Sequence, residues 1–458
     1  MKLKAIIGII LCKALRLVSR ILHRGGTAMP GRFALKVCPE LLHIVSSGVT
    51  TVAVTGTNGK TTTARMIEET LRRAGLNVFY NGSGANLIDG ITTEFVMNSD
   101  LAGKCRCDYA VIECDEAAAI KVFKEMKPKI VVVTNLFRDQ TDRFGDVTVT
   151  LAKIKEAVAN VPEAILCLNA DCSLTASLAD GATNKVAWYG MNKGALPERE
   201  KSANSDAPNC VRCGTEYVYD YVTFGHLGGF RCPKCGYRRQ SPDYAVTDIS
   251  SRRMDGTTVV MDIRGEKKLV DIRIPAVFNV YNAAACVAAA SELGFAADDA
   301  IAALPETSCS FGRMEEFPLG RAGARMMLIK NAAGCDQVLE FLEGVKEKFS
   351  LVIVINNRVA DGTDISWLAD ANFEALNGMS GWIENIVTSG DRAEEMAERI
   401  RQTGFDSARL TMEQDYDRLV QWADQQEIPV LIMQTYTAML ELREVIVKHC
   451  GGKSFYQF

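Results

Sequence analysis

Three groups of residues in this chain have the types and spacing that support chemistry. The first is VTGTNGKTTTARM, residues 54–66, in which Lys60, Thr61 and Thr62 follow the turn Gly56-Thr57-Asn58-Gly59. A β-branched apolar run, Thr51 to Val54, precedes that turn, and a helical pattern from Thr61 to Ala74 follows it and closes at Gly75. Strand, tight turn and helix start make a concavity of backbone N–H groups that favours phosphate. Lys60 would then reach the β- and γ-phosphates of a nucleotide, and the Thr61 hydroxyl would hold Mg²⁺. The stretch departs from the common GxxxxGK[ST] loop because Val54 occupies the place of the first glycine. The plain alternative is a glycine turn that merely joins strand to helix.

The second group is Cys210-x-x-Cys213 and Cys232-x-x-Cys235, two knuckles, CVRCG and CPKCG, separated by eighteen residues. Four thiolates in two close pairs suit tetrahedral Zn²⁺ in a structural ribbon, with no position left open for catalysis. Disulfides or a redox pair are the alternatives, and a reducing compartment disfavours both. The third group is INNRVADGTDISWLAD, residues 355–370, which places Asp361, Asp364 and Asp370 within ten residues. Its bland reading is a helix start capped by Asp364 or Ser366.

The elements that must position these groups alternate as strands and helices from Val49 to about Leu304, as a parallel α/β sheet requires. Strands are expected at Tyr109 to Ile112, Ile130 to Thr134 and Ala164 to Leu168. Glu113 and Asn135 end the first two, at the carboxyl edge where such sheets hold ligands. Glu113 would complete an Mg²⁺ shell made mostly of phosphate oxygens and water. Its alternative, like that of Asn135, is a turn residue or a cap. From about Glu315 a second, Rossmann-like α/β pattern begins, with strands near Met326 to Ile329, Leu351 to Ile355, Ile386 to Val387 and Val430 to Met433. The expected organisation is therefore an N-terminal segment over 1–48, a nucleotide-binding unit over 49–314 with the cysteine insertion at about 205–240, and a C-terminal unit over 315–458.

Composition excludes several functions. A net charge of −4 and a pI near 5.8 give no nucleic-acid footprint. The four histidines lie in no triad-like motif, which disfavours a self-contained hydrolase. There is no signal peptide with a small-residue cleavage site, and single thiols such as Cys114, Cys167 and Cys286 lie inside apolar runs, so the cytoplasm is the expected compartment. The N-terminal MKLKAIIGIILCKALRLVSRILHRGG is too interrupted by charge to span a bilayer. As a helix it reads as apolar on one face and basic on the other, which suits either peripheral contact with anionic lipid or packing on its own domain.

GTNGKTT, then Glu113, then TNLFRDQTDRFG, FNVYNAAACVAA and GRMEEF is an order of motifs that resembles the ATP-dependent Mur ligases and folylpolyglutamate synthases. The resemblance accounts for the shortened loop. It implies that ATP phosphorylates a carboxylate and that an amine attacks the acyl phosphate. It further implies that Gly56 to Thr62 bind the nucleotide, with Lys60 and Thr61 on phosphate and metal and Glu113 on metal. Asn135 and Asn282 would contact the adenine nucleotide, and Arg313 the phosphates. Only about fifty residues precede the loop, too few for the nucleotide-sugar domain of roughly a hundred residues that many relatives carry there. The relatives' DHMD reads DQTD here, with Gln140 at the position of a histidine that serves a second metal in many relatives, and a neutral amide is a weaker metal ligand.

With the cysteine knuckles and ADGTDISW added, the chain closely resembles an amidating branch of the family, the ligase subunits of lipid II isoglutaminyl synthases. That branch works with a GatD-type glutamine amidotransferase subunit that supplies ammonia. The implied reaction is amidation of the α-carboxylate of D-glutamate in the lipid II stem peptide. By motif position, Asp364 would complete the partner's Cys-His pair. A folylpolyglutamate-synthase-like ligase and a nonenzymatic ATP-binding scaffold are the rival readings.

Overall fold

The computed structural model describes residues 2–21, 28–82, 85–137, 147–197, 206–253, 256–307 and 313–451. Gln140 and the rest of DQTD lie outside the described residues, as does the side chain of Arg313.

A parallel sheet forms where strands are apolar on both faces, and the first strands are of that kind. β1 (Thr50–Thr55), β3 (Tyr109–Glu113) and β4 (Ile130–Val133) are β-branched and almost wholly buried. They join β2 (Val78–Tyr80), β5 (Ile165–Asn169), β6 (Val186–Met191), β9 (Tyr244–Arg253), β10 (Gly256–Ile263) and β11 (Glu266–Ile272) in one nine-stranded sheet, in the order β11-β10-β9-β6-β5-β4-β1-β3-β2. From β2 to β9 all pairs are parallel, while β10 and β11 add an antiparallel edge. The chain leaves β1 for β2 and β3 on one side and reaches β4 on the other. β1 is thus the point where the strand order reverses, and the crevice above its carboxyl end is where such sheets take ligands.

Two helices lock this end. α4 (Lys60–Arg73) buries Thr63, Ala64, Ile67, Thr70 and Leu71 on one side, and Ile67 and Leu71 each contribute about 1.5–3 kcal/mol of hydrophobic stabilisation. The helix Val277–Leu293 is buried nearly all round from Val280 to Ala290, because its run of alanines lets α4 and the sheet approach closely. Thr70 Oγ1 lies 3.5 Å from Cys286 Sγ at their crossing.

β7 (Val218–Phe224) and β8 (Leu227–Arg231) form a separate antiparallel hairpin. A second sheet follows, in the order β12-β13-β17-β14-β15-β16: Arg313–Phe317, Ala324–Leu328, Val430–Gln434, Phe349–Val354, Ile383–Ser389 and Leu410–Met412. It is parallel except for β12 at its edge. Both α/β readings hold.

At the N-terminus, α1 (Lys2–Ile21), α2 (Ala28–Val37) and α3 (Leu41–Ser46) pack with α5 (Ile88–Met97). Gly31 allows the closest approach, since a Cβ there would lie 1.8 Å from the Asp89 carbonyl oxygen on α5. The single apolar face expected of α1 proves to be two. Ala5, Ile9 and Cys12 are buried against the neighbouring helices, while Leu3, Ile7, Ile10 and Leu17 face outward. A stripe of period 3.6 cannot separate these faces in sequence, because both are apolar and only burial distinguishes them. Among the described residues no helix is long and apolar enough to cross a membrane.

Candidate active site

The turn after β1 depends on two glycines. Gly56 has φ +119°, and a Cβ there would meet Thr134 Oγ1 at 2.4 Å and the Asn135 carbonyl oxygen at 2.8 Å. Gly59 has φ +84°, and its Cβ would meet Asn282 Oδ1 at 2.2 Å. Glycine is therefore required for backbone conformation and for space at once.

The loop is held from both sides. The Thr57 amide donates to the Asn135 carbonyl (2.8 Å), and Thr57 Oγ1 accepts from the Phe137 amide (3.0 Å). The Asn135 side chain spans Asn58, its Oδ1 accepting from the Asn58 amide (3.0 Å) and its Nδ2 donating to the Asn58 carbonyl (3.2 Å). On the other flank Thr63 Oγ1 donates to Asn282 Oδ1 (3.2 Å), and Asn282 Nδ2 donates to Asn279 Oδ1 (3.0 Å). Asn135 and Asn282 are accordingly braces of the loop in this state.

Charge is concentrated next to it. Thr61 Oγ1 donates to Glu113 Oε2 (2.8 Å), which also lies 3.3 Å from the Tyr80 hydroxyl. Glu113 is buried, and its backbone amide and carbonyl both pair with the Asn81 side chain at 2.8 Å. Lys60 Nζ donates to the carbonyls of Gly56 and Thr57 and pairs with Glu116 Oε1 at 2.9 Å. Glu116 and Asn81 were absent from the expected site. Glu116 stands three residues after Glu113 in VIECDE, a signal that was available, whereas nothing in the sequence around Asn81 marks it. Seven consecutive residues, Gly56 to Thr62, thus share one edge with Glu113, Asn135 and Asn282. Arg313 begins β12 of the other sheet.

The four cysteines also converge. All their sulfurs lie within 4.8 Å of one another, with Cys210–Cys235 at 3.6 Å and Cys213–Cys232 at 3.4 Å. Zinc–sulfur bonds of about 2.3 Å in a tetrahedron set sulfur–sulfur distances near 3.8 Å, so the donor set fits. The Thr215 hydroxyl and amide hold the Cys213 thiol down, to about 6. This cluster clamps the base of the β7–β8 hairpin, and the hairpin tip reaches Phe137, which is bonded to Thr57 in the loop after β1. Gly225 and His226 press on Phe137, whose ring centroid is 4.5 Å from that of His226 and 5.5 Å from that of Phe224. Burial pushes His226 down to about 4. Beneath the hairpin, Asp171 is fully buried and pairs with Arg239 at 2.5 Å, with Tyr281 donating to it at 2.6 Å.

On the second sheet, Asp361 is buried and caps the helix Tyr436–Cys450, accepting from the Thr437 amide (2.6 Å) and hydroxyl (2.5 Å). Asp364 is exposed, and its Oδ1 accepts from the Ser366 amide (2.8 Å), which lowers its pKa.

Similarity to known proteins accords with this geometry. Residues 54–216 match the Mur ligase middle domain, and residues 328–439 match the MurT ligase C-terminal domain. The lipid II isoglutaminyl synthase (glutamine-hydrolyzing) subunit MurT of Streptococcus pneumoniae is 33% identical over 448 residues, 97% of this chain and 98% of that protein. The chain belongs to the MurT ligases. The Staphylococcus aureus MurT subunit is 33% identical over 446 residues, with the same coverage of both chains. This MurT-family chain shares its fold with a pseudomurein peptide ligase type C from Methanothermus fervidus (TM-score 0.64, 22% identity, 88% of this chain and 79% of that one). It also shares it with MurF of Thermotoga maritima solved with ADP (TM-score 0.64, 14% identity, 91% and 84%). A MurT ligase is an ATP-dependent ligase of the Mur family, and that family uses ATP and Mg²⁺.

Proposed function

We propose that this chain is the ligase subunit of a two-component enzyme that amidates the α-carboxylate of D-glutamate in the lipid II stem peptide, on the cytoplasmic side of the membrane. The observation that carries the reading is 33% identity to MurT subunits over 97% of the chain, together with a loop whose lysine and threonine meet glutamates.

The loop amides and Lys60 would bind the phosphates of ATP. Lys60 must exchange Glu116 for a phosphate oxygen, and Glu116 keeps the amine aimed at the loop until then. Thr61 and Glu113 offer adjacent oxygens to Mg²⁺, which would neutralise charge on the phosphates when bound. The substrate carboxylate attacks the γ-phosphorus, ADP leaves, and an acyl phosphate forms. Ammonia attacks the acyl carbon, inorganic phosphate departs, and the amide of D-isoglutamine remains after loss of a proton. In this reading Asn282 and Asn135 fix the loop against the adenine nucleotide, and Arg313 meets the phosphates from β12. Zn²⁺ on Cys210, Cys213, Cys232 and Cys235 is structural.

Ammonia would come from glutamine hydrolysed by a GatD-type partner. Asp364, exposed and already turned by Ser366, is suited to hold the partner's histidine in the tautomer that activates its cysteine.

The deciding assay gives the chain lipid II, ATP and ammonium chloride, then replaces ammonium by glutamine with and without the GatD-type subunit. Amidation with ammonium alone, and with glutamine only when the partner is present, is expected. No amidation under any condition, together with glutamate ligation to a folate, would overturn the proposal.

A further inference from the structure

The outward stripe of α1 is covered by nothing among the described residues. Leu3 is 70% exposed, Leu17 60%, Ile10 50%, Val18 49% and Ile7 47%. At 3.6 residues per turn these positions fall within a sector of roughly 120°, opposite the buried Ala5, Ile9 and Cys12. Phe33 is likewise exposed, on α2, which packs against α1. Of eighteen large hydrophobic residues exposed among the described residues, eight fall between Leu3 and Phe33, so the exposure is concentrated rather than scattered.

The charge around the patch has one sign. The first 39 residues carry eight Lys or Arg and no Asp or Glu, although the chain as a whole has a net charge of −4. Lys4 is exposed beside the stripe, and Lys36 lies 5.4 Å from the centre of the Phe33 ring. Two other bases are engaged locally, Arg32 with Asp89 and Lys13 with the Ser99 carbonyl.

We propose that α1 and α2 form a docking face for the surface of a bilayer containing acidic phospholipid. The aliphatic stripe enters the headgroup–acyl boundary, and Lys4 and Lys36 meet lipid phosphates. An apolar stripe along a helix of about 30 Å, flanked by bases, matches an interfacial helix. The opposite face, packed on the protein, carries the domain with it. A second copy is a poorer occupant, because pairing would bring two basic segments together with no acid between them.

The placement orients the site. α1 packs on α5, and the segment entering α5 is tied to the active edge by Asp115 N donating to the Asn86 carbonyl and by Asn81 bridging Ala85 and Glu113. Docking would hold that edge at a fixed distance from lipid. Its use in presenting a lipid-linked carboxylate rests on the proposed reaction, whereas the docking face itself does not.

The test is sedimentation of the full chain with vesicles of phosphatidylglycerol or of phosphatidylcholine. Partitioning should favour phosphatidylglycerol by about tenfold or more and weaken with salt. Ile7→Glu with Ile10→Glu should cut binding about tenfold or more, and Lys4→Glu with Lys36→Glu should remove the lipid preference. All these side chains are exposed, so both variants should melt like the parent. Absence of binding to phosphatidylglycerol overturns the proposal. So does equal binding by the Ile7→Glu/Ile10→Glu variant, or a concentration-dependent dimer that this variant abolishes. Vesicle binding without amidation of lipid II would count against the reaction and leave the docking face standing.

Discussion

β3 and β14 are both buried parallel strands that run into acidic residues, yet their ends differ. At the end of β3, Glu113 is buried and meets Thr61 from α4 and Tyr80 from β2. After β14, the buried carboxylate is Asp361, which is consumed as a helix cap, while Asp364 stands exposed with the Ser366 amide. The first site assembles its charges within one chain. The second presents an exposed carboxylate that, under the proposed function, would need a partner's histidine to complete it. A self-completing site can be dissected with one substrate in hand, whereas an incomplete one is visible only when its partner is present.

Substitutions can break that contrast, and the largest effect is expected at the incomplete site. Asp364→Asn keeps the turn, since asparagine also accepts from Ser366, but removes the charge that would orient a histidine. Glutamine-dependent amidation should fall by up to about 10⁴-fold, the loss seen when a serine-protease triad aspartate becomes asparagine. Ammonium-dependent amidation should persist. Equal loss with both nitrogen sources would put Asp364 in the ligase site, and no loss would leave it a turn residue. Lys60→Ala should reduce both activities alike by about 10²–10³-fold, as removal of one preorganised charge contact does. Near-normal rates with ammonium would show that the loop assignment is wrong.

Smaller effects sharpen the comparison through stability. His226 is depressed to about 4 by burial, so the folded protein binds fewer protons than the unfolded chain between pH 6.5 and 4. The stabilisation is complete above pH 6.5 and is lost as the pH falls towards 4, a change of about 3 kcal/mol. Melting temperature should follow that window, and His226→Leu should flatten the profile whatever its starting stability. Removal of metal is expected to act more locally. The purified chain should hold about one zinc, and Cys213→Ser should loosen the β7–β8 hairpin while ATP binding weakens only severalfold. Zinc-free protein after careful purification would remove the ribbon.

What was legible in the sequence was local. The strand–turn–helix of residues 51–74 and the two cysteine knuckles are short in sequence and stereotyped in spacing, so their elements follow from pattern and propensity. Helix α4 begins at Lys60 rather than Thr61, within the usual uncertainty of a helix end. What escaped was tertiary. Glu116 matters because a turn brings it to Lys60 across 56 positions, and Asn81 because β2 lies beside β3. The Asp171–Arg239 pair joins residues 68 apart and buries one of them completely, a juxtaposition no periodicity encodes. Asp361 and Asp364 look interchangeable in DGTD, and only the packing of the last helix separates cap from exposed carboxylate.

The Phe137 wedge has a thermodynamic corollary. Thr57 is fastened to Phe137, Phe137 is pinned by the hairpin tip, and the hairpin base is gathered by the four cysteines. If zinc on those thiolates steadies the hairpin, the free energy by which it tightens nucleotide must equal the free energy by which nucleotide tightens zinc. A cell filling this loop with ATP would then be retaining its zinc as well, and metal starvation would register first as a rising nucleotide requirement, before the fold gives way.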